Sequence, residues 1–172
     1  MPRGVGKIGT VTAPKLLGIY LNDHLAGADA ALSLARRSAA SNARNAVGRA
    51  LKVLIAEVEE DRAALESIMD RLAVRPDPLK RGAVRVAERF GRLKLNGRLT
   101  SYSPLSRLLE LEALCLGVEG KAALWRSLQE VVPKLPALAE VDLDELIARA
   151  EGQRKTLEDL RLDAAKRALP SN

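Results

Sequence analysis

Residues 51–78 run Leu51-Lys52-Val53-Leu54-Ile55-Ala56-Glu57-Val58-Glu59-Glu60-Asp61-Arg62-Ala63-Ala64-Leu65-Glu66-Ser67-Ile68-Met69-Asp70-Arg71-Leu72-Ala73-Val74-Arg75-Pro76-Asp77-Pro78. Leu51, Leu54 with Ile55, Val58, Leu65, Ile68 and Leu72 recur at the spacing of one helix face, with charge on the others. Two prolines close the stretch, and a helix does not easily pass them. The spacing predicts a helix over about 47–73. Its seam is interrupted once, where Asp61 stands in place of an aliphatic residue. An acid inside an apolar stripe is the first sign of a polar centre.

Working outward, Leu17, Leu21, His24 with Leu25, Ala28, Leu32 and Ala35 predict a helix over about 14–37 that opens at Pro14. Ser41-Asn42-Ala43-Arg44-Asn45 reads as a short connection, so the two helices should form an antiparallel hairpin. Ser103-Pro104 is a helix start, with serine as cap and proline at the first position. The helix that follows, about 104–131, is apolar over most of its circumference, the mark of burial on more than one side. Pro133 and Pro136 end it. Asp142 with Glu145 resembles a capping box and opens the last helix, about 143–168. Between the hairpins lies a crossover, 75–103, containing a short amphipathic helix: Leu79, Ala83, Val86, Ala87, Phe90 and Leu93 align along 79–93. A link of that length can cross the whole bundle, leaving the second and third long helices parallel. The expected fold is all-α, a four-helix bundle forming one domain over 1–172.

Composition agrees. The chain has 172 residues, 47% of them apolar and 29% charged, a globular balance. Aromatics are only 2%, so the core must be Leu, Ala, Val and Ile, and base-stacking surfaces are poorly served. A single cysteine, Cys115, excludes an internal disulfide framework and a cysteine zinc site. No apolar run matches a secretory leader or a membrane span, and a cytoplasmic location is expected. The net charge of +6 is concentrated: residues 1–56 carry 8 basic and 2 acidic groups, and residues 75–101 carry 8 and 2. No phosphate-binding loop, dinucleotide glycine pattern, nucleophile elbow or zinc-protease motif is present.

Projected on their stripes, the other helices also carry polar residues near mid-length. His24, the only histidine, falls on the first. Leu105-Leu108-Glu112-Cys115-Glu119-Ala122 gives the third two carboxylates on one face. Gln153 lies within the stripe of the fourth. Arg62, Arg126 and Arg154 stand close to the helix midpoints. The candidates for a polar centre are therefore His24, Glu57, Asp61, Glu112, Glu119, Gln153 and Arg154.

Two hairpins, a long crossover and the Glu57-Val58-Glu59-Glu60-Asp61 run together resemble the ferritin-like family, over about 14–168. The resemblance implies the bundle fold. In metal-binding members each helical pair contributes a Glu and then a Glu-x-x-His. Here Glu57 or Glu60 matches the acid of the second helix, but three residues on stand Glu60 and Ala63. Glu151 matches that of the fourth, followed by Arg154. Asp23 and His24 replace the first-helix Glu, and Glu112 or Glu119 stands in the third. Both Glu-x-x-His motifs are absent, and arginine near a ligand position neutralises carboxylates instead.

A salt-bridged polar core therefore ranks ahead of a metal site, and no cofactor is expected. Iron or manganese belongs to the alternative, a divergent carboxylate-bridged di-metal protein with oxidase or metal-handling activity. The leading expectation is a non-enzymatic binding or interaction module whose partner is a second copy of the chain or another protein. A third reading uses Lys80, Arg81, Arg85, Arg89 and Arg92 to contact nucleic acid or an anionic membrane; docking of that segment on the bundle ranks ahead of it. Cys115 reads as a core thiol. Gly27, Gly117, Gly120 and Gly152 each weaken a helix by about 1 kcal/mol against alanine. They could serve close helix approach or leave room for a ligand, and both explanations stand at this point.

Overall fold

A computed structural model of the chain describes residues 13–78 and 102–169. The proposed crossover helix, 79–93, and the basic residues Lys80, Arg81, Arg85, Arg89 and Arg92 lie outside them. Within the described residues there are four long helices: α1 (Ala13–Ser41), α2 (Ala46–Arg71), α3 (Pro104–Val131) and α4 (Leu143–Ala168). Two short 3-10 turns, Val132–Lys134 and Pro136–Leu138, occupy the proline-containing link between α3 and α4. None of the described helices is long and apolar enough to cross a membrane.

Side-chain caps set the starts. Asn45 accepts from the Gly48 amide at 3.2 Å, Ser103 from the Ser106 amide at 3.1 Å, and Asp142 from the Glu145 amide at 2.9 Å. The reciprocal arm of a capping box is replaced at Glu145 by an ion pair with Arg149 one turn on, at 2.9 Å. The first helix extends four residues beyond its expected end, through Ser38-Ala39-Ala40-Ser41, because Ser38, Ala39 and Asn42 are buried and continue its inner face. At the end of α2, Ala73 adopts φ 54°. Its amide bonds the Asp70 carbonyl at 3.0 Å and the Val74 amide bonds the Met69 carbonyl at 2.8 Å. This is a Schellman ending with alanine where glycine is usual.

The most extensive packing is within the pairs α1–α2 and α3–α4, with α1 against α3 next and α2 against α4 last. Asn42, just past α1, touches the start of α3, since its Nδ2 donates to the Tyr102 hydroxyl at 2.7 Å and its Oδ1 accepts from Arg107 Nε at 2.7 Å. Arg71 near the end of α2 lies 3.6 Å from Glu140, just ahead of α4. Every neighbouring pair is thus antiparallel, and α2 and α3 run parallel across the diagonal. The link between them, 72–103, starts at one end of the bundle and finishes at the other. Both of its described ends attach to α1. Asn22, buried, donates to the Arg75 carbonyl at 3.1 Å and accepts from the Asp77 amide at 2.6 Å, while Asn42 holds Tyr102.

The core divides in two. One cluster gathers Leu21, Leu25, Leu65, Ile68, Trp125 and Leu146; the other gathers Leu32, Leu51, Leu54, Leu111, Leu114 and Leu157. Between them α2 contributes Asp61 and α4 contributes Gln153, both buried, where the stripes predicted polar residues. The buried face of α3 differs from the expected stripe. It runs Leu108, Leu111, Leu114, Val118, Ala122, Trp125 and Leu128, about one residue's rotation away. With apolar residues around most of α3, periodicity alone did not define which side faces inward. Leu116, in the middle of an apolar run, is 75% exposed.

Candidate functional site

The rotation of α3 decides which residues form the centre. It brings Lys121 inward, one position before Ala122. Lys121 Nζ donates to Asp61 Oδ2 and to Gln153 Oε1. Gln153 Nε2 donates in turn to Asp61 Oδ2 at 3.1 Å, closing a triangle across α2, α3 and α4. Arg149, one turn before Gln153, stands with Nη1 3.4 Å from Asp61 Oδ1. That contact is an ion pair without an aligned hydrogen bond, so Asp61 Oδ1 is buried with no donor among the described residues. Arg149 also binds Glu60 at 2.8 Å.

Asp61 is 2% exposed and Lys121 14%. Taking an ammonium out of water disfavours its charge, and burial holds Lys121 below the usual lysine value against the opposing pull of Asp61. Cationic charge in this layer comes from an ammonium and a guanidinium. Among the described residues, no three His, Cys, Asp or Glu side chains gather in a group suited to a metal ion.

The remaining candidates sit elsewhere. Glu112 pairs with Arg161 at 3.7 Å on the surface. Glu119, 54% exposed, lies 3.4 Å from Arg126 and 3.8 Å from Arg154. Glu57 is half-buried and near enough to Lys121 to favour its charged form. His24 is half-buried, its ring edge-on to Tyr20 with centroids 4.6 Å apart. Burial holds its pKa below 6.5 against the raising influence of Asp23. Arg62 binds Asp29 of α1 at 2.7 Å. Cys115 is partly buried, and burial raises its thiol pKa, keeping the thiolate scarce.

Beside the triangle α1 presents Asp23, His24, Gly27, Ala28, Ala31 and Ala35. The space thus left is a cleft of about 230 Å³ between α1 and α3, floored by α2. Its α1 wall includes Ala28 and Ala31, its α3 wall Gly117 and Gly120, and its floor Val58 and Leu65. Asp61 and Lys121 edge it on the polar side, and His24 stands near one end. A Cβ added at Gly27 or Gly120 would meet nothing within 4 Å, and one at Gly117 only the Ala31 methyl at 3.8 Å. Close approach therefore does not explain Gly27 or Gly120, which border open space, whereas Gly117 stands opposite Ala31 where the two helices meet. Gly152 also faces open space, exposed on α4, and nothing in the structure explains it.

One further polar atom lies behind the cleft wall, closed to solvent. Trp125, the chain's only tryptophan, lines it and is 1% exposed. Its indole N–H has no acceptor among the described residues. Leaving such a donor unpaired costs about 1–3 kcal/mol. Lys121 and Trp125 are the residues the sequence did not single out. Turning the α3 stripe to centre on Val118 and Ala122 puts both on one face, four residues apart. No protein-family model, curated protein or solved structure matches this chain.

Proposed function

We propose that the protein is a non-enzymatic binding module, a ferritin-like bundle whose polar centre is structural and whose α1–α3 cleft takes a small apolar ligand. Connectivity supports the ferritin-like part: two antiparallel hairpins, parallel α2 and α3 on a diagonal, and a link whose described ends sit at opposite ends of the bundle. The structural reading of the centre rests on Lys121. Its ammonium sits between Asp61 and Gln153, where a bound cation would otherwise balance the carboxylate.

The observation that carries the binding assignment is the cleft's glycine lining. Gly27 and Gly120 each weaken a long helix by about 1 kcal/mol against alanine without any packing requirement. Filling the space tests the assignment. Gly27→Leu and Gly120→Leu place side chains where the backbone meets no neighbour, so both variants should fold with an unchanged or raised melting temperature. The native protein should bind 2-ethylnaphthalene by calorimetry, and the double variant should not. Equal binding by both, or none by the native protein, would refute the cleft as a site.

A further inference from the structure

The chain on either side of residues 79–101 is fixed to one helix. Asn22 of α1 binds the Arg75 carbonyl and the Asp77 amide, and Asn42, just past the same helix, binds the Tyr102 hydroxyl. These two asparagines end a single row on α1. Stepping by four from Asn22 gives Ala26, Ala30, Leu34, Ser38 and Asn42. Each step turns about 40° around the helix, so the row winds obliquely along α1 as an i±4 ridge. It leads from beside the end of α2 to beside the start of α3.

This ridge is covered. Asn22, Ala26, Ser38 and Asn42 are buried, and Ala30 and Leu34 are partly buried. On α2 the outer residues Ala56, Glu60, Ala63 and Ser67 are all exposed. Packing within the bundle does not account for Ala26, which is only 2% exposed. Among the described residues it belongs to neither core cluster, whereas Leu21, Leu25, Leu32, Ala35 and Ala39 of the same helix each belong to one.

Length, shape and charge fit the ridge to the crossover. Twenty residues separate the asparagines, about 30 Å of helix. Segment 79–93, as the helix its spacing predicts, covers about 22 Å, and residues 94–101 have reach enough for the rest. Its stripe of Leu79, Ala83, Val86, Ala87, Phe90 and Leu93 needs an apolar partner. Small side chains at Ala26 and Ala30 let a second helix come close. Asp23 and Asp29 flank the first half of the ridge, the half nearest in sequence to Lys80, Arg81 and Arg85.

We infer that the Asn22–Asn42 ridge is the docking surface for this chain's own segment 79–93. The segment lies along α1 with its apolar stripe against Ala26, Ala30 and Leu34, and its basic side chains turn toward Asp23, Asp29 and solvent. The occupant is part of the chain itself, so the docking stands apart from any ligand of the α1–α3 cleft.

Trypsin cuts after lysine and arginine, so Lys80, Arg81, Arg85, Arg89 and Arg92 report whether the segment is held. Ala26→Arg sets a long cation in the ridge and should speed cleavage at those bonds about tenfold over the native chain, since proteolysis follows the population of the open state. Ala56→Arg, on the exposed side of α2, should leave the rate unchanged. With Ala26 outside both clusters, the four helices of the first variant should remain folded by circular dichroism. If they do not, Phe90→Ser removes the segment's largest apolar side chain, leaves the bundle's own residues intact, and should give the same acceleration. A native chain cut as fast as Ala26→Arg and Phe90→Ser overturns the inference, as does equal acceleration by Ala56→Arg. Protection should not depend on protein concentration. Protection that fades on dilution would assign the ridge to the segment of a second copy, and it too overturns docking within one chain.

Discussion

Asp61→Ala would leave Lys121 in the interior with a single neutral partner, Gln153. Breaking a buried pair from one side costs about 3–5 kcal/mol, whereas replacing both charges by apolar groups is often neutral. Asp61→Ala should therefore lose stability on that scale, and adding Lys121→Met should recover most of it, read from denaturant midpoints at neutral pH. Full loss in the double variant would show that the triangle stabilises beyond satisfying its own charges. The pH dependence has a defined sign. With the folded-state pKa of Lys121 below its ordinary 10.5, the unfolded chain binds more protons between the two values. Its contribution therefore rises with pH through that window. Asp61→Ala removes the group that holds the pKa up, so its stability should begin to climb at a lower pH than that of the native protein.

Glycines separate two kinds of element contact. A Cβ on Gly48 would lie 2.1 Å from the Asn42 carbonyl oxygen, since the first turn of α2 presses on the end of α1. Gly48→Ala should cost about 1–3 kcal/mol despite its better helix propensity. Gly27→Ala should gain up to about 1 kcal/mol, and thermal melts of the two variants should move in opposite directions. The helices themselves were largely legible: prolines, caps and clean stripes located α2, α3 and α4, and α2 and α4 showed Asp61 and Gln153 on their inner faces. Legibility failed on α3, where apolar residues on nearly every side left its rotation open. That ambiguity concealed Lys121 and Trp125, and it brought Glu112 and Glu119 forward as candidates although they lie on the surface. Asn22 and Asn42 escaped notice for another reason. An asparagine that grips a distant backbone has no local signature, and Asn42 resembled ordinary turn chemistry.

At the scale of the molecule, two hairpins meet along two seams, α2 with α4 and α1 with α3. The first is fastened at mid-length by the Asp61–Gln153 bond and by Arg149 with Glu60, and at one end by Arg71 with Glu140. Polar ties across the second gather at one end, where Asn42 meets Tyr102 and Arg107, and Arg37 lies 3.7 Å from Glu110. Mid-length, that seam carries the cleft, with Gly117 within van der Waals reach of Ala31 beside it. Amide hydrogen exchange should therefore show residues 114–121 of α3 less protected than residues 54–61 of α2, by more than helix position alone explains. Equal protection would contradict the difference between the seams. The bundle then resembles a book stitched with polar thread along α2 and α4 and clipped at one corner by Asn42, though its pages press together more fully along α1 and α3. Between α1 and α3 the pages leave a notch beside Gly27 and Gly120. A molecule headed for the interior would need no dedicated doorway and no helix to melt, only the slight swing that such a binding permits.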